Sequence, residues 1–263
     1  MLNVIRSEAI RISQRRTLLI WFGLMAGFAV MVNTVMGSAL SASTGGLPTP
    51  GVSLPTREEL ESSSGIVAGL WSASNMFGVV TLSLWAFFTA QDYSSGLIRL
   101  LVASEPNRLR LLAGKAITLA GFTALAVTVA VIANIVAAPA IGASGISTAA
   151  WGQDLPAVLG KAWINLYLSQ LVWGMLGLVI AVVSRSAMTA VSLGVGYVLT
   201  VESIVRMIDG APVDQLLGTT LGAIAKGGTE AVSYQMAATL GLGYGLIGFI
   251  IAGLIFVRRD VTD

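Results

Sequence analysis

Six long apolar runs constrain this chain more than any other feature. They cover residues 17–36, 66–90, 116–135, 162–183, 187–208 and 236–257. Crossing about 30 Å of hydrocarbon takes about 20 helical residues, and each run is long enough. None alternates polar and apolar residues with period two, so barrel strands do not fit. Inside lipid, a helix satisfies its own backbone polar groups. The chain is 55% hydrophobic and only 11% charged, against about 25% charged residues in soluble domains. The expectation is one all-α integral membrane domain over residues 1–263, with six transmembrane helices. A cleaved signal peptide has an apolar core of about 7–15 residues. The first run is longer, so it reads as a span.

The chain contains no cysteine and no histidine. Disulfides, zinc sites, cysteine nucleophiles and histidine bases are therefore excluded. The sequence points to no catalytic and no metal-ligating residues. A net charge of +2 gives no reason to expect a nucleic-acid partner.

What matters is where the charges sit. Arg6, Arg11, Arg15 and Arg16 precede the first run, and Arg99, Arg108, Arg110 and Lys115 lie between the second and third. Arg185 separates the fourth from the fifth, and Arg258 and Arg259 follow the sixth. These eleven fall on one side of a six-span topology; Arg57, Lys161, Arg206 and Lys226 fall on the other. Positive loops stay cytoplasmic. The expectation is a multi-pass protein of a bacterial-type inner or plasma membrane, with both termini in the cytoplasm. Residues 2–16 read as an amphipathic helix lying in the interface, with Leu2, Ile5, Ala9 and Ile12 as its apolar stripe.

The segment from Ala90 to Lys115 is a basic, amphipathic island between two apolar runs. It reads as two short helices, over 94–102 and 106–112. Pro106 suits a first helical turn, and Glu105 suits the positive end of a helix. Lys115 opens the third run. The plain reading is a basic loop that obeys the inside rule.

The order of residues suggests more. Asp92, Gly96, Leu100-Leu101, Pro106, Arg108 and Lys115 resemble the permease subunits of ATP-binding-cassette (ABC) exporters of the type-2 class. There the second span ends on an acid followed by a Gly-Thr pair. A Leu-Leu pair, a Pro with a following Arg, and a Lys at the start of the third span come next. Leu97 stands where the family usually has Thr, and Asp92 where it usually has Glu. Arg6-Ser7-Glu8, Arg11 and Arg15-Arg16 are similar to the pattern before that family's first span.

The resemblance implies a bacterial drug, lipid or peptide exporter. A short coupling helix around residues 106–112 would dock into a separate ATPase subunit. ATP and magnesium would be held by that partner, with no cofactor in this chain. A second permease copy, identical or paralogous, and membrane lipid would complete the assembly. Residues implied in docking and coupling are Arg6, Glu8, Arg11, Asp92, Gly96, Arg99, Glu105, Pro106, Arg108, Arg110 and Lys115. No Gly-x-x-x-x-Gly-Lys-Ser/Thr motif occurs in the chain itself.

Inside the runs, Glu202 and Arg206 are one helical turn apart. Charges at membrane depth are costly and mark functional candidates. One reading has Arg206 reaching the headgroups and neutralising Glu202. The other places the pair in the substrate path or at an outer gate. Asn134, Asn165 and Gln170 read as hydrogen-bonding groups between helices. Ala237, Gly241, Gly245, Gly248 and Ala252 form a small-residue ridge suited to close packing.

Three other function classes are open to such a chain. A secondary carrier would have broken helices, midplane carboxylates and inverted repeats. An intramembrane enzyme would need a Ser-Lys or paired-Asp site, and no Lys or Asp lies deep in any run. A membrane scaffold without transport is the third.

Overall fold

The computed structural model describes residues 2–41, 55–105, 107–205, 207–208 and 213–258. Among these, every regular element is helical. Helix α1 (Leu2–Ile12) leads into α2 (Arg15–Ser41), and α3 (Arg57–Glu61) is a short helix beyond it. A 3-10 turn (Gly65–Val67) runs into α4 (Ala68–Ser72), followed by α5 (Ser74–Ser94) and α6 (Leu97–Ser104). Next come α7 (Arg108–Ala137), α8 (Pro139–Gly142) and α9 (Leu155–Ser184). Then α10 (Ala187–Gly196) passes through a π-helical turn (Tyr197–Val201) into α11 (Glu202–Val205). A 3-10 turn (Val213–Gln215), α12 (Leu217–Lys226) and α13 (Tyr234–Arg258) complete the described chain.

Four of these helical stretches are long and apolar enough to cross a membrane: Arg15–Leu40, Arg108–Gly142, Leu155–Ser184 and Tyr234–Arg258. The second apolar run is not one straight helix. It is the pair Gly65–Ser72 and Ser74–Ser94, bent by 44°, which makes a fifth candidate span if counted as one. The fifth run is interrupted as well: its α-helix lasts ten residues before the π turn.

Helix α9 is the centre of the bundle, flanked by α5, α7, α10, α12 and α13. Its contact with α5 is close because glycine and tryptophan alternate across it. A Cβ on Gly78 would lie 2.3 Å from the Trp173 indole, and one on Gly174 would lie 2.4 Å from Trp85. Small residues let membrane helices approach where no hydrophobic drive separates helix from lipid. The ridge on α13 behaves as the sequence suggests. Ala237, Gly241, Gly245, Gly248 and Ala252 are all buried, and Gly245 and Gly248 face Met175 and Val179 of α9. Isoleucines and leucines cover the outer faces, among them Ile132, Leu246 and Ile250, as expected of surfaces solvated by lipid.

Side-chain amides brace the chain on both sides of the break at Ala73. Asn134 Nδ2 donates to the Ile66 carbonyl at 2.8 Å, and Gln170 Nε2 donates to the Ser74 carbonyl at 3.1 Å. Asn33 Nδ2 donates to Asn134 Oδ1 at 2.9 Å, and the Thr81 hydroxyl donates to Gln170 Oε1 at 2.9 Å. Irregular backbone is tolerated at membrane depth where it is buried in protein. Asn134 and Gln170 thus link helices, as read from the sequence.

Candidate partner-docking site

Charge separates the bundle into two ends. The end of α5, the start of α7 and the ends of α9 and α13 meet at the basic one. There Arg108 Nη1 donates to the Phe256 carbonyl at 3.1 Å, and the Arg185 guanidinium lies 5.7 Å from the Tyr93 ring centroid.

Helix α1 is laid across this end against α7. Gly114 gives it room: a Cβ there would lie 2.6 Å from Val4. The apolar stripe differs from expectation. Leu2 is exposed, and the helix turns Val4, Ile5, Glu8 and Ile12 inward. The helix also stops at Ile12 rather than running to residue 16.

A carboxylate at the centre of a packed face needs partners, and it has them. Glu8 Oε1 is 2.7 Å from Arg11 Nη1, and Glu8 Oε2 is 2.9 Å from Lys115 Nζ. Lys115 Nζ is also 2.8 Å from Asp92 Oδ2, a contact that is ionic rather than a well-angled hydrogen bond. Arg11 Nη2 donates to Asp92 Oδ1 and closes the circuit. The result is a ring of two acids and two bases in alternation, joining α1, α5 and α7. Glu8, Asp92 and Lys115 are 2%, 1% and 6% exposed. Arg11 is part-exposed, its side chain at 30%; burying the other three charges is tolerable only because each meets opposite charges on both sides.

Helix α6 hangs beside the ring. Gly96 enters it with φ of +69°, a left-handed turn that glycine adopts without strain. Ile98 is buried, whereas Arg99 and Leu100 face outward, Leu100 at 68% exposure. A cavity about the size of one water, roughly 20 Å³, lies between the ring, Ile98, Leu101 and Phe256.

The expected second short helix does not exist as a separate element. Asn107 caps the Arg110 amide at 3.1 Å, and one helix then runs unbroken from Arg108 to Ala137. No proline falls between Asn107 and Ala137, so nothing stops that helix early, and residues 108–112 are the opening of a membrane-length helix. The short amphipathic element between spans is α6.

Of the residues named from the sequence, the structure brings Glu8, Arg11, Asp92 and Lys115 into one cluster. Arg110 pairs with Glu105 at 3.2 Å, and Arg108 holds the carbonyl end of α13, where a cation suits the helix dipole. Arg6, Gly96 and Arg99 are exposed. Pro106 and Arg206 lie outside the described residues.

Glu202 is buried at 3% exposure. Its carboxylate accepts the Gly218 amide at the start of α12, beside the Tyr197 hydroxyl, which accepts the Leu217 amide at 3.2 Å. An anion at a helix N-terminus meets unpaired amides and a favourable dipole.

Sequence reading missed Asn33, the first-span partner of Asn134. Its signal was a lone amide inside an apolar run. It also missed the pairing of Lys226 with Glu59, which are 167 positions apart at 2.5 Å. No local pattern carries that contact. No protein-family model matches the chain, and no curated protein is significantly similar to it.

Proposed function

We propose that this chain is the membrane-spanning permease subunit of a type-2 ABC exporter. It moves a small amphiphilic or hydrophobic substrate out of the cell with a second permease copy. A separate subunit binds and hydrolyses ATP with magnesium. The observation that carries the reading is the ring of Glu8, Arg11, Asp92 and Lys115. It welds α1 and the ends of two membrane helices into one rigid unit, and α6 presents exposed Arg99 and Leu100 beside it. A force applied to α6 and α1 by a soluble partner would pass into α5 and α7 without loss in a soft joint. The sequence resemblance names the same residues.

The docking face is α6 rather than residues 106–112. Arg108 is a poorer probe, because its removal also frees the end of α13. The test is to purify the protein mildly from its native membrane and identify what comes with it. A P-loop ATPase is expected. Arg99→Glu combined with Leu100→Asp should weaken its retention about tenfold, the scale of losing an interface hot spot. A preparation in which transport runs on an ion gradient with no ATPase attached would overturn the proposal.

Such an outcome would favour a secondary carrier. That reading is supported by the 44° break between α4 and α5 and by buried Glu202 near a second interruption. Against it, the Ile66 and Ser74 carbonyls that flank the first break already accept from Asn134 and Gln170. Absence of any transport would favour a scaffold.

A further inference from the structure

The end opposite the basic one contains a cavity of about 620 Å³, in the size range of small-molecule sites. Its walls include Trp71 and Tyr234 together with Glu59, Lys161, Asn165 and Lys226. The charges are not equivalent. Lys226 is committed: its ammonium is 2.5 Å from Glu59 Oε1 and 4.5 Å from the Trp71 ring centroid. Glu59 is ionised for the same reason. Burial pushes its carboxyl up, but Lys226 and the Thr56 amide outweigh this and hold it below its ordinary value. That pair contributes no net charge.

Lys161 is different. Among the described residues its ammonium has no partner, and neither does the Asn165 amide one turn further along α9. The cavity therefore presents one uncompensated positive charge and one unused amide above apolar and aromatic walls. Lys161 lies six residues into α9, about 9 Å along the axis, and Asn165 about 15 Å. If α9 enters the membrane near its first residue, these polar groups lie near headgroup depth, beside the buried apolar lining of Val67, Trp71 and Ala225.

We propose that this cavity binds a monoanionic amphiphile, with Lys161 pairing its charged head, Asn165 hydrogen-bonding beside it, and Trp71 covering its apolar part. A cation would face Lys161 unpaired. A dianion would leave one charge uncompensated. A small anion without a tail would leave the apolar walls uncovered. The site needs no ATPase, so it stands apart from the coupling function proposed above.

Native mass spectrometry of the whole protein in neutral maltoside detergent tests this, with phosphatidylglycerol, phosphatidylcholine, dodecanoate and glycerol phosphate as probes. One phosphatidylglycerol should be retained, and dodecanoate should displace it. Glycerol phosphate at the same concentration should not. Lys161→Gln, at an exposed helical position, should weaken retention about tenfold, as expected for losing a charge-assisted hydrogen bond. Lys161→Arg should keep it. Arg57→Gln, at the same end but outside the cavity, should have no effect. Four outcomes would overturn the proposal. Phosphatidylcholine could bind equally well, or Lys161→Gln could bind like the parent. Arg57→Gln could be as damaging as Lys161→Gln, which would mean nonspecific attraction. Glycerol phosphate could compete as well as the lipid, which would mean a free-anion site.

Discussion

Four side chains decide most of what the basic end can do. Glu8 and Lys115 are 107 positions apart and meet at 2.9 Å out of water. Breaking a buried ion pair by removing one partner leaves an unmatched charge in a low dielectric, which costs about 3–5 kcal/mol. Asp92→Asn or Lys115→Gln alone should therefore lower thermal stability in detergent by about 3 kcal/mol. The double variant should lose much less, because Glu8 and Arg11 still pair within α1. Additive losses across that cycle would mean that the ring is not coupled. At the other end, Glu59 carries the pH dependence of the link between α3 and α12. Its pKa in the folded protein is depressed. The stabilisation is therefore fully present above the ordinary carboxylate value and is lost as pH falls through the depressed one. The melting difference between the parent and Glu59→Gln should shrink to nothing over that acid window. The side chain is 37% exposed, so salt should shrink the difference as well. A difference that stays constant into strong acid would rule out the ion pair as its source.

At the scale of elements, the informative feature is the break between α4 and α5. Gly69, in the short helix before it, sits under the Asn33 and Asn134 amides: a Cβ there would lie 2.2 Å from Asn33 Nδ2 and 2.6 Å from Asn134 Oδ1. Asn134→Leu would leave the Ile66 carbonyl and the Asn33 amide without that partner at membrane depth. The expected loss is about 1–3 kcal/mol in thermal unfolding, the cost of an unsatisfied buried polar group. Asn134→Gln should lose less if its longer amide still reaches. Equal stability of the leucine variant would mean that water, not Asn134, satisfies the Ile66 carbonyl. The start of α7 illustrates a different rule. Pro106 and Glu105 looked like the start of a short helix, yet the cap that matters is Asn107, and the helix it opens continues for 30 residues. Local capping signals mark where a helix begins. They say little about where it ends, which here depends on burial against α1, α2 and α9.

For the whole molecule, the charge asymmetry becomes a geometric one. Arg99, Arg108, Lys115 and Arg185 gather at one end, and Glu59, Arg57, Lys161 and Lys226 at the other. If the basic end is cytoplasmic, a cysteine at Ser64 or Glu230 should react with an impermeant thiol reagent in whole cells, and one at Ser95 should not. The native chain has no cysteine to interfere. Glu230 is a better site than neighbouring Gly227, whose φ of +91° penalises any side chain. Labelling of Ser95→Cys from outside would reverse the orientation.

The sequence by itself determined that the chain is helical and suited to lipid. Long apolar runs without period-two alternation leave helix as the state that satisfies every backbone group away from water. The small-residue ridge of α13 and the linking amides Asn134 and Gln170 were legible for the same reason, since polarity and size inside an apolar run have few uses. The motif residues Glu8, Arg11, Asp92 and Lys115 could be named, but not their relation. Only the tertiary structure decided that they close into one largely buried ring, because ion pairing across 81 or 107 positions depends on how three helices cross. The same holds for the bend at Ala73, for α6 as the free amphipathic element, and for the outer cavity. Each arises where surfaces distant in the chain meet, and no periodicity within one segment encodes that meeting.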